Sequence, residues 1–137
     1  MSITNLSAKI AEFRALCNRR SEVVVQKSLI RTGTSIIVES PVDTGRFAAN
    51  WQYAFGAPGL GTATIGPFRG EAEKQGSVNW MTTEISNLQL GQAFFMTNNL
   101  PYAVRLEWGW SAKSSFMVQR AVAAFPAIVS EEIAREK

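Results

Sequence analysis

The chain has 137 residues, 46% of them apolar and 18% charged, with a formal net charge of +3. That length supports one modest core, so a single domain over residues 1–137 is expected and a second independent one is not. Histidine is absent and Cys17 is the sole cysteine, which excludes an internal disulfide, a thiolate metal cluster and the usual imidazole base or zinc ligand.

So apolar a composition with so few charges implies surface meant to be covered, and oligomerisation is the simplest cover. No apolar run approaches a bilayer-spanning length, and the first residues lack a basic region followed by an apolar stretch. No membrane partner is therefore expected, and the chain should fold in the cytoplasm of the cell that makes it. The net charge sits before Phe47, with seven basic against four acidic residues there and seven of each afterwards. So small a surplus suits a solvated helix face as well as a phosphate-binding patch.

Residues 4–40 are predicted as helix, in one or two pieces, capped by Thr4 or Ser7. Leu6, Ile10, Phe13 and Cys17 form a stripe at helical spacing, and Leu16, Val23, Ile30 and Ile37 recur seven apart. Cys17 is expected as a packed small apolar residue. The run Val23, Val24, Val25 and the helix-weakening Gly33 predict a break or bend. Pro41 ends the helix, because it lacks a donor and forces Ser40 toward extended geometry.

Residues 41–51, PVDTGRFAANW, form a joint: Asp43 and Thr44 hydrogen-bond locally, and Gly45 supplies a turn position. Trp51, Tyr53 and Phe55 then alternate on one face of a strand. GAPGLGT reads as loop, 63–65 as a short strand, and 66–76 as a flexible, solvent-exposed loop that a neighbour orders. A short amphipathic helix starting at Ser77 or Asn79 follows, then a strand over 92–97 ending at Asn98 and Asn99. A helical turn over 101–107 precedes the last helix, capped by Ser114 or Ser115, in which Pro126 makes a kink or marks a change of packing partner. The predicted class is α+β: a long N-terminal helix, a small antiparallel or mixed sheet, a short middle helix and a C-terminal helix packed on the sheet.

Catalytic chemistry finds little support. The paired carboxylates, Glu71 with Glu73 and Glu131 with Glu132 and Glu136, lie in polar stretches, and the GxGT of Gly59–Thr62 lacks the lysine of a phosphate loop. No catalytic, metal or cofactor-binding residue is expected, and no cofactor. Asp43 and Arg46, three residues apart across the turn, are expected to clamp the loop as a charge-assisted pair or to reach separate groups. Glu107, between Leu106 and Trp108 and near Tyr102 and Trp110, is expected to pair with Arg46 or Arg105. Trp51, Trp108 and Trp110 read as core or interface anchors. A nucleic-acid module using Arg14, Arg19, Arg20, Lys27 and Arg31 is a competing reading, weakened because these positions do not share one face. An enzyme is the weakest.

The joint at 41–51 is answered by NNLPYAVRLEWG at 98–109. On Pro41, Val42, Asp43, Thr44, Gly45, Arg46 and Phe47, and on Asn98, Asn99, Pro101, Tyr102, Ala103, Leu106, Glu107 and Gly109, the chain resembles the small tail-completion proteins of long-tailed double-stranded DNA bacteriophages. These are also called minor tail, neck or tail-terminator-like proteins. The family pattern runs from a long N-terminal helix through P-V-D-T-G-x-[LF] and N-N-x-P-Y-A-x-x-L-E-x-G to a C-terminal helix. The resemblance implies a non-enzymatic virion protein of the tail and neck that completes the tail at its head-proximal end, or a connector nearer the portal. It implies a ring of identical copies, commonly six-fold, in contact with the major tail-tube protein and head-completion or connector proteins. Genomic DNA would pass through the channel without specific binding. Asp43, Thr44, Gly45, Arg46, Trp51, Asn99, Pro101, Tyr102, Glu107, Trp108 and Gly109 are the structural or interface candidates, and the N-terminal helix and the broad face of the C-terminal helix are the expected contact faces.

Overall fold

In a computed structural model of the chain, residues 3–62, 66–109 and 116–136 are described, with side chains from Leu6 onward. The fold is α+β: five helices surround a two-stranded antiparallel sheet among these residues. Helix α1, Ile3–Glu39, runs without a break and is about 55 Å long at ~1.5 Å rise per residue. Ser7, one of the two expected caps, is already inside it, and the side chain of Thr4 lies outside the described residues.

The expected weak points of α1 do not interrupt it, because its C-terminal half is held from two sides by other helices. Gly33 is a packing position: a Cβ there would run into Met81 Sδ. Met81 is fully buried. Gly33→Ala should therefore lower stability by roughly 1 kcal/mol, overpacking outweighing the gain in helix propensity, as thermal unfolding will show.

The end of α1 is well satisfied. The Ser40 amide donates to Ile37 O and its hydroxyl to Ile36 O (2.8 Å), while Lys74 Nζ donates to Val38 O (2.6 Å). These groups occupy carbonyls that a helix terminus leaves open, and the ammonium complements the negative end of the helix.

After the four-residue helix α2, Arg46–Ala49, strand β1, Trp51–Phe55, pairs with β2, Phe94–Asn98, in the register Trp51↔Asn98 through Phe55↔Phe94. β2 starts two residues later than expected, and the strand expected at 63–65 lies outside the described residues. A two-stranded ribbon needs a cover to be stable. Helix α3, Ala72–Ser86, provides it: Met81 and Ile85 are wholly buried, Tyr53 Oη and Ser77 Oγ are 2.8 Å apart, and Trp80 stands edge-on to Tyr53 at 5.0 Å.

Helix α3 begins five residues before the earlier of its expected starts, so the predicted flexible loop over 66–76 is corrected: residues 72–76 are helical. The charges that read as loop polarity are helix-forming pairs, Arg69 with Glu73 (2.8 Å, i,i+4) and Glu71 with Lys74 (3.1 Å, i,i+3). The Arg69 guanidinium holds the Glu73 carboxyl below its usual range.

Burial pushes the Tyr53 phenol up to about 12, with the Ser77 hydrogen bond pulling slightly the other way. The neutral phenol is thus favoured in the fold. The sign follows: its stabilisation is complete below pH ~10, the unfolded value, and is lost as pH rises toward 12, to the extent of about 2–3 kcal/mol. In a Tyr102→Phe background, tyrosinate absorbance should report Tyr53 alone ionising with loss of structure, and ionisation near pH 10 in an intact fold would contradict this.

Helix α4, Ala103–Glu107, and helix α5, Met117–Arg135, complete the chain. α5 runs through Pro126 and packs chiefly along α1 rather than across the sheet. It is antiparallel to α1: Arg120 meets Glu39 (2.6 Å), Arg31 meets Glu131 (2.8 Å) and Glu132 (3.1 Å), and Lys27 approaches Glu136 (3.8 Å). Glu132 is buried and bound also by Arg135 at 2.9 Å, the partnering that a buried carboxylate needs. The last turn of α5 reaches Arg20 and Val24, so the part of α1 before them extends beyond the body. Cys17 lies there and is exposed, against the expectation of a packed residue, because no element among the described residues reaches it.

Candidate functional site

The two motif segments meet. Gly45, with φ 95°, lies against the turn at Gly70: a Cβ at Gly45 would stand 2.6 Å from Gly70 O and 2.7 Å from Gly70 N. The Gly70 amide donates to Thr44 O (2.8 Å), and Thr44 Oγ1 accepts from the Arg46 amide (3.2 Å). Gly45 O accepts from Ala49 N (3.0 Å), closing α2, and Asn50 Nδ2 donates to Arg46 O (2.7 Å). Thr44 and Gly45 thus fix the start of α2 and the approach to α3 together.

From the other segment, Asn98 Nδ2 donates to Phe47 O (2.9 Å), and Tyr102 lies 6.3 Å from the Phe47 ring. Asn99 turns the other way and holds Gly59 O (2.9 Å) and Gly61 O (3.1 Å). Pro101 is exposed at the turn into α4. Trp51, buried at the end of β1, donates from Nε1 to Ser40 Oγ (2.9 Å) and meets Phe47 edge-on at 5.5 Å. The end of α1, the joint and the sheet are therefore tied through one indole.

Two expected pairs do not form. Asp43 is exposed and makes no ion pair with Arg46 among the described residues. The helical turn of α2 carries Arg46 toward Tyr102, whose ring centroid is 6.0 Å from the guanidinium carbon, and leaves Arg46 Nε buried without a partner. Glu107 takes backbone amides instead of a guanidinium. Its Oε1 accepts from Val118 N and its Oε2 from Gln119 N, each at 2.9 Å, and its carbonyl accepts from Phe116 N (2.7 Å).

Glu107 is thus the N-terminal cap of α5, donated from another element. A carboxylate suits this place because the first helical amides lack intrahelical acceptors and the helix end is partially positive. The Ser114 and Ser115 caps, like Trp110, lie outside the described residues; the position before α5 is Phe116, at φ 56°, with no side-chain cap of its own. Glu107→Ala should cost about 1–2 kcal/mol and Glu107→Gln less. Faster hydrogen exchange at Val118 and Gln119, with the sheet still protected, is the expected signature.

Beside this cap lies a shallow cleft of about 180 Å³, floored by Phe47, Trp51 and Met117 and walled by Val104, Trp108 and Val118. Trp108 is 63% exposed and stands edge-on to Phe116 at 5.9 Å. Gly109, its amide on Leu106 O (3.4 Å), closes α4 behind it. Val104 and Val122 extend the exposed apolar surface. Val122 lies on the face of the last helix expected to make contacts, whereas Val104 and Phe116 were not among the sequence candidates, and spacing alone does not show that α4 and the start of α5 lie side by side.

No group of three or more potential metal ligands occurs among the described residues. No protein-family model matches the chain, and neither a curated protein nor a solved structure is found to match it.

Proposed function

We propose that this chain is a structural virion protein that completes the tail of a long-tailed bacteriophage at its head-proximal end, acting as one copy in a ring. The observation that carries this reading is a pair of uncovered apolar surfaces. One surrounds Trp108, with Val104, Phe116 and Val122; the other is the stripe of Leu6, Ile10 and Phe13 on the projecting part of α1. They lie roughly 35–50 Å apart along the α1 axis. A small subunit with bare apolar faces at both ends has at least two neighbours to satisfy.

The joined PVDTG and NNLPYA segments support the same reading, since they brace the Trp108 end of this arrangement and, among the described residues, point no reactive group at the cleft. Glu107, the acid beside the cleft, is occupied by amides. The ring contact is assigned to the Trp108 surface.

The test is direct. Purified chain added to tail tubes assembled from the major tail-tube protein should appear by electron microscopy as rings at one end of each tube. Tubes that stay uncapped, with the chain remaining in solution, would overturn the assignment. DNA binding that weakens steeply across a salt series would favour a nucleic-acid module instead.

A further inference from the structure

The projecting half of α1 carries a narrow apolar line with cations on both sides, and the molecule itself shows what kind of surface covers such a line. Leu6, Ile10, Phe13 and Cys17 are spaced alternately four and three apart, within about 60° of one another on a helix of 3.6 residues per turn. Leu6 is 48%, Ile10 51% and Phe13 68% exposed. Continued toward the body, the same line passes through Val24, Lys27 and Arg31. There α5 covers it, meeting Lys27 with Glu136 and Arg31 with Glu131 and Glu132. The bare stretch begins where α5 ends.

Charge decides the occupant. Up to Arg20, the residue that the last turn of α5 reaches, the chain carries Lys9, Arg14, Arg19 and Arg20 against Glu12, so the projection and its junction with α5 hold the whole net charge of +3, and the rest of the chain carries ten of each sign. Lys9 and Arg20 flank the apolar line on one side and Arg14 on the other, each within about 70° of its centre. Two such projections laid together would bring like charges into the flanking positions that set helix pairing.

No other face of this chain supplies the missing acid. Glu39, Glu71, Glu73, Glu131, Glu132 and Glu136 are each bound to cations of their own chain, and Glu107 is held by amides. Among the described residues, apart from the amide-bound Glu107, only Glu12, Glu22, Asp43 and Glu84 lack an ion pair, and these are scattered singly over α1, the joint and α3.

We infer that the projecting half of α1 is the docking face for an amphipathic helix of a different protein, one whose apolar line is flanked by carboxylates as the end of α5 is. Such a helix continues the cover that α5 begins. The apolar line is too narrow for a membrane-surface helix, which buries a broad face, and it separates the cations that a DNA backbone would need together. The inference rests on the tail-completion reading for the second of its two uncovered surfaces, but its failure would concern only what the projection binds and would leave the ring contact at Trp108 untouched.

The test uses the full chain and a labelled three-heptad helical peptide with Leu at the core positions and Glu at the flanking ones, followed by fluorescence anisotropy. Saturable binding is expected, at least tenfold weaker for the Phe13→Glu variant and for the same peptide with Lys in place of Glu. Phe13 is exposed, so Phe13→Glu should leave the circular dichroism melt unchanged, and Trp108→Asp should leave peptide binding unchanged. Equal binding of the Glu and Lys peptides, or no loss with Phe13→Glu, would overturn the inference. So would preferential binding to phosphatidylglycerol vesicles or duplex DNA, or an oligomer of this chain that Phe13→Glu dissociates.

Discussion

Gly45→Ala is expected to lower stability by roughly 3 kcal/mol, although it adds only a methyl group. Two costs add. A Cβ at φ 95° costs about 1–2 kcal/mol by backbone strain alone. The new methyl also meets Gly70 O and N at 2.6 and 2.7 Å; backbone cannot swing away as a side-chain end does, and overpacking of this kind costs a further ~1–3 kcal/mol. The displaced turn carries the Gly70 amide that bonds Thr44 O, so α3 should loosen with the joint. For a domain of this size a melting point lower by about 10 °C is expected. Gly70→Ala is the control, since nothing lies within 4 Å of its Cβ position, although its φ of 63° still carries strain. A Gly45→Ala protein melting at or above its Gly70→Ala counterpart would show that the close approach is unimportant.

Trp51→Ala should cost about 3–5 kcal/mol, the range for removing a large buried aromatic. Its loss opens the space between Phe47, Ser40 and Met117 and leaves Ser40 Oγ without the indole donor. Trp51→Phe separates the two effects: it keeps most of the volume and removes the N–H, for an expected loss of about 1–2 kcal/mol. Chemical denaturation of both variants checks the division. If Trp51→Phe were as harmful as Trp51→Ala, the hydrogen bond rather than the packing would dominate.

The sequence announces those parts of the fold that depend on local rules. Pro41 stops α1, alternation of Trp51, Tyr53 and Phe55 marks β1, and the Asn-Asn turn ends β2. The two motif segments stand out as joints, and the structure brings them together through Asn98, Phe47 and Tyr102.

What was illegible depends on distant geometry. Glu107 caps α5 with backbone amides, and amide donors carry no residue identity to read. Asp43 and Arg46 have the spacing of a pair, but α2 turns Arg46 toward Tyr102. Residues 69–74 have a loop's composition, and only the pairing of Arg69 with Glu73 and of Glu71 with Lys74 reveals a helix start. Cys17 sits on a regular apolar stripe, and its exposure follows from where α5 stops.

We propose that the anchored joint presents the Trp108 surface for repeated contact between identical copies. Sedimentation of the intact chain and of Trp108→Asp tests it most directly. A closed ring is expected for the intact chain, and a monomer melting within a few degrees of it for the variant, because exposed positions contribute little to the fold. A chain that remains monomeric at high concentration, or a ring unaffected by Trp108→Asp, would contradict the account.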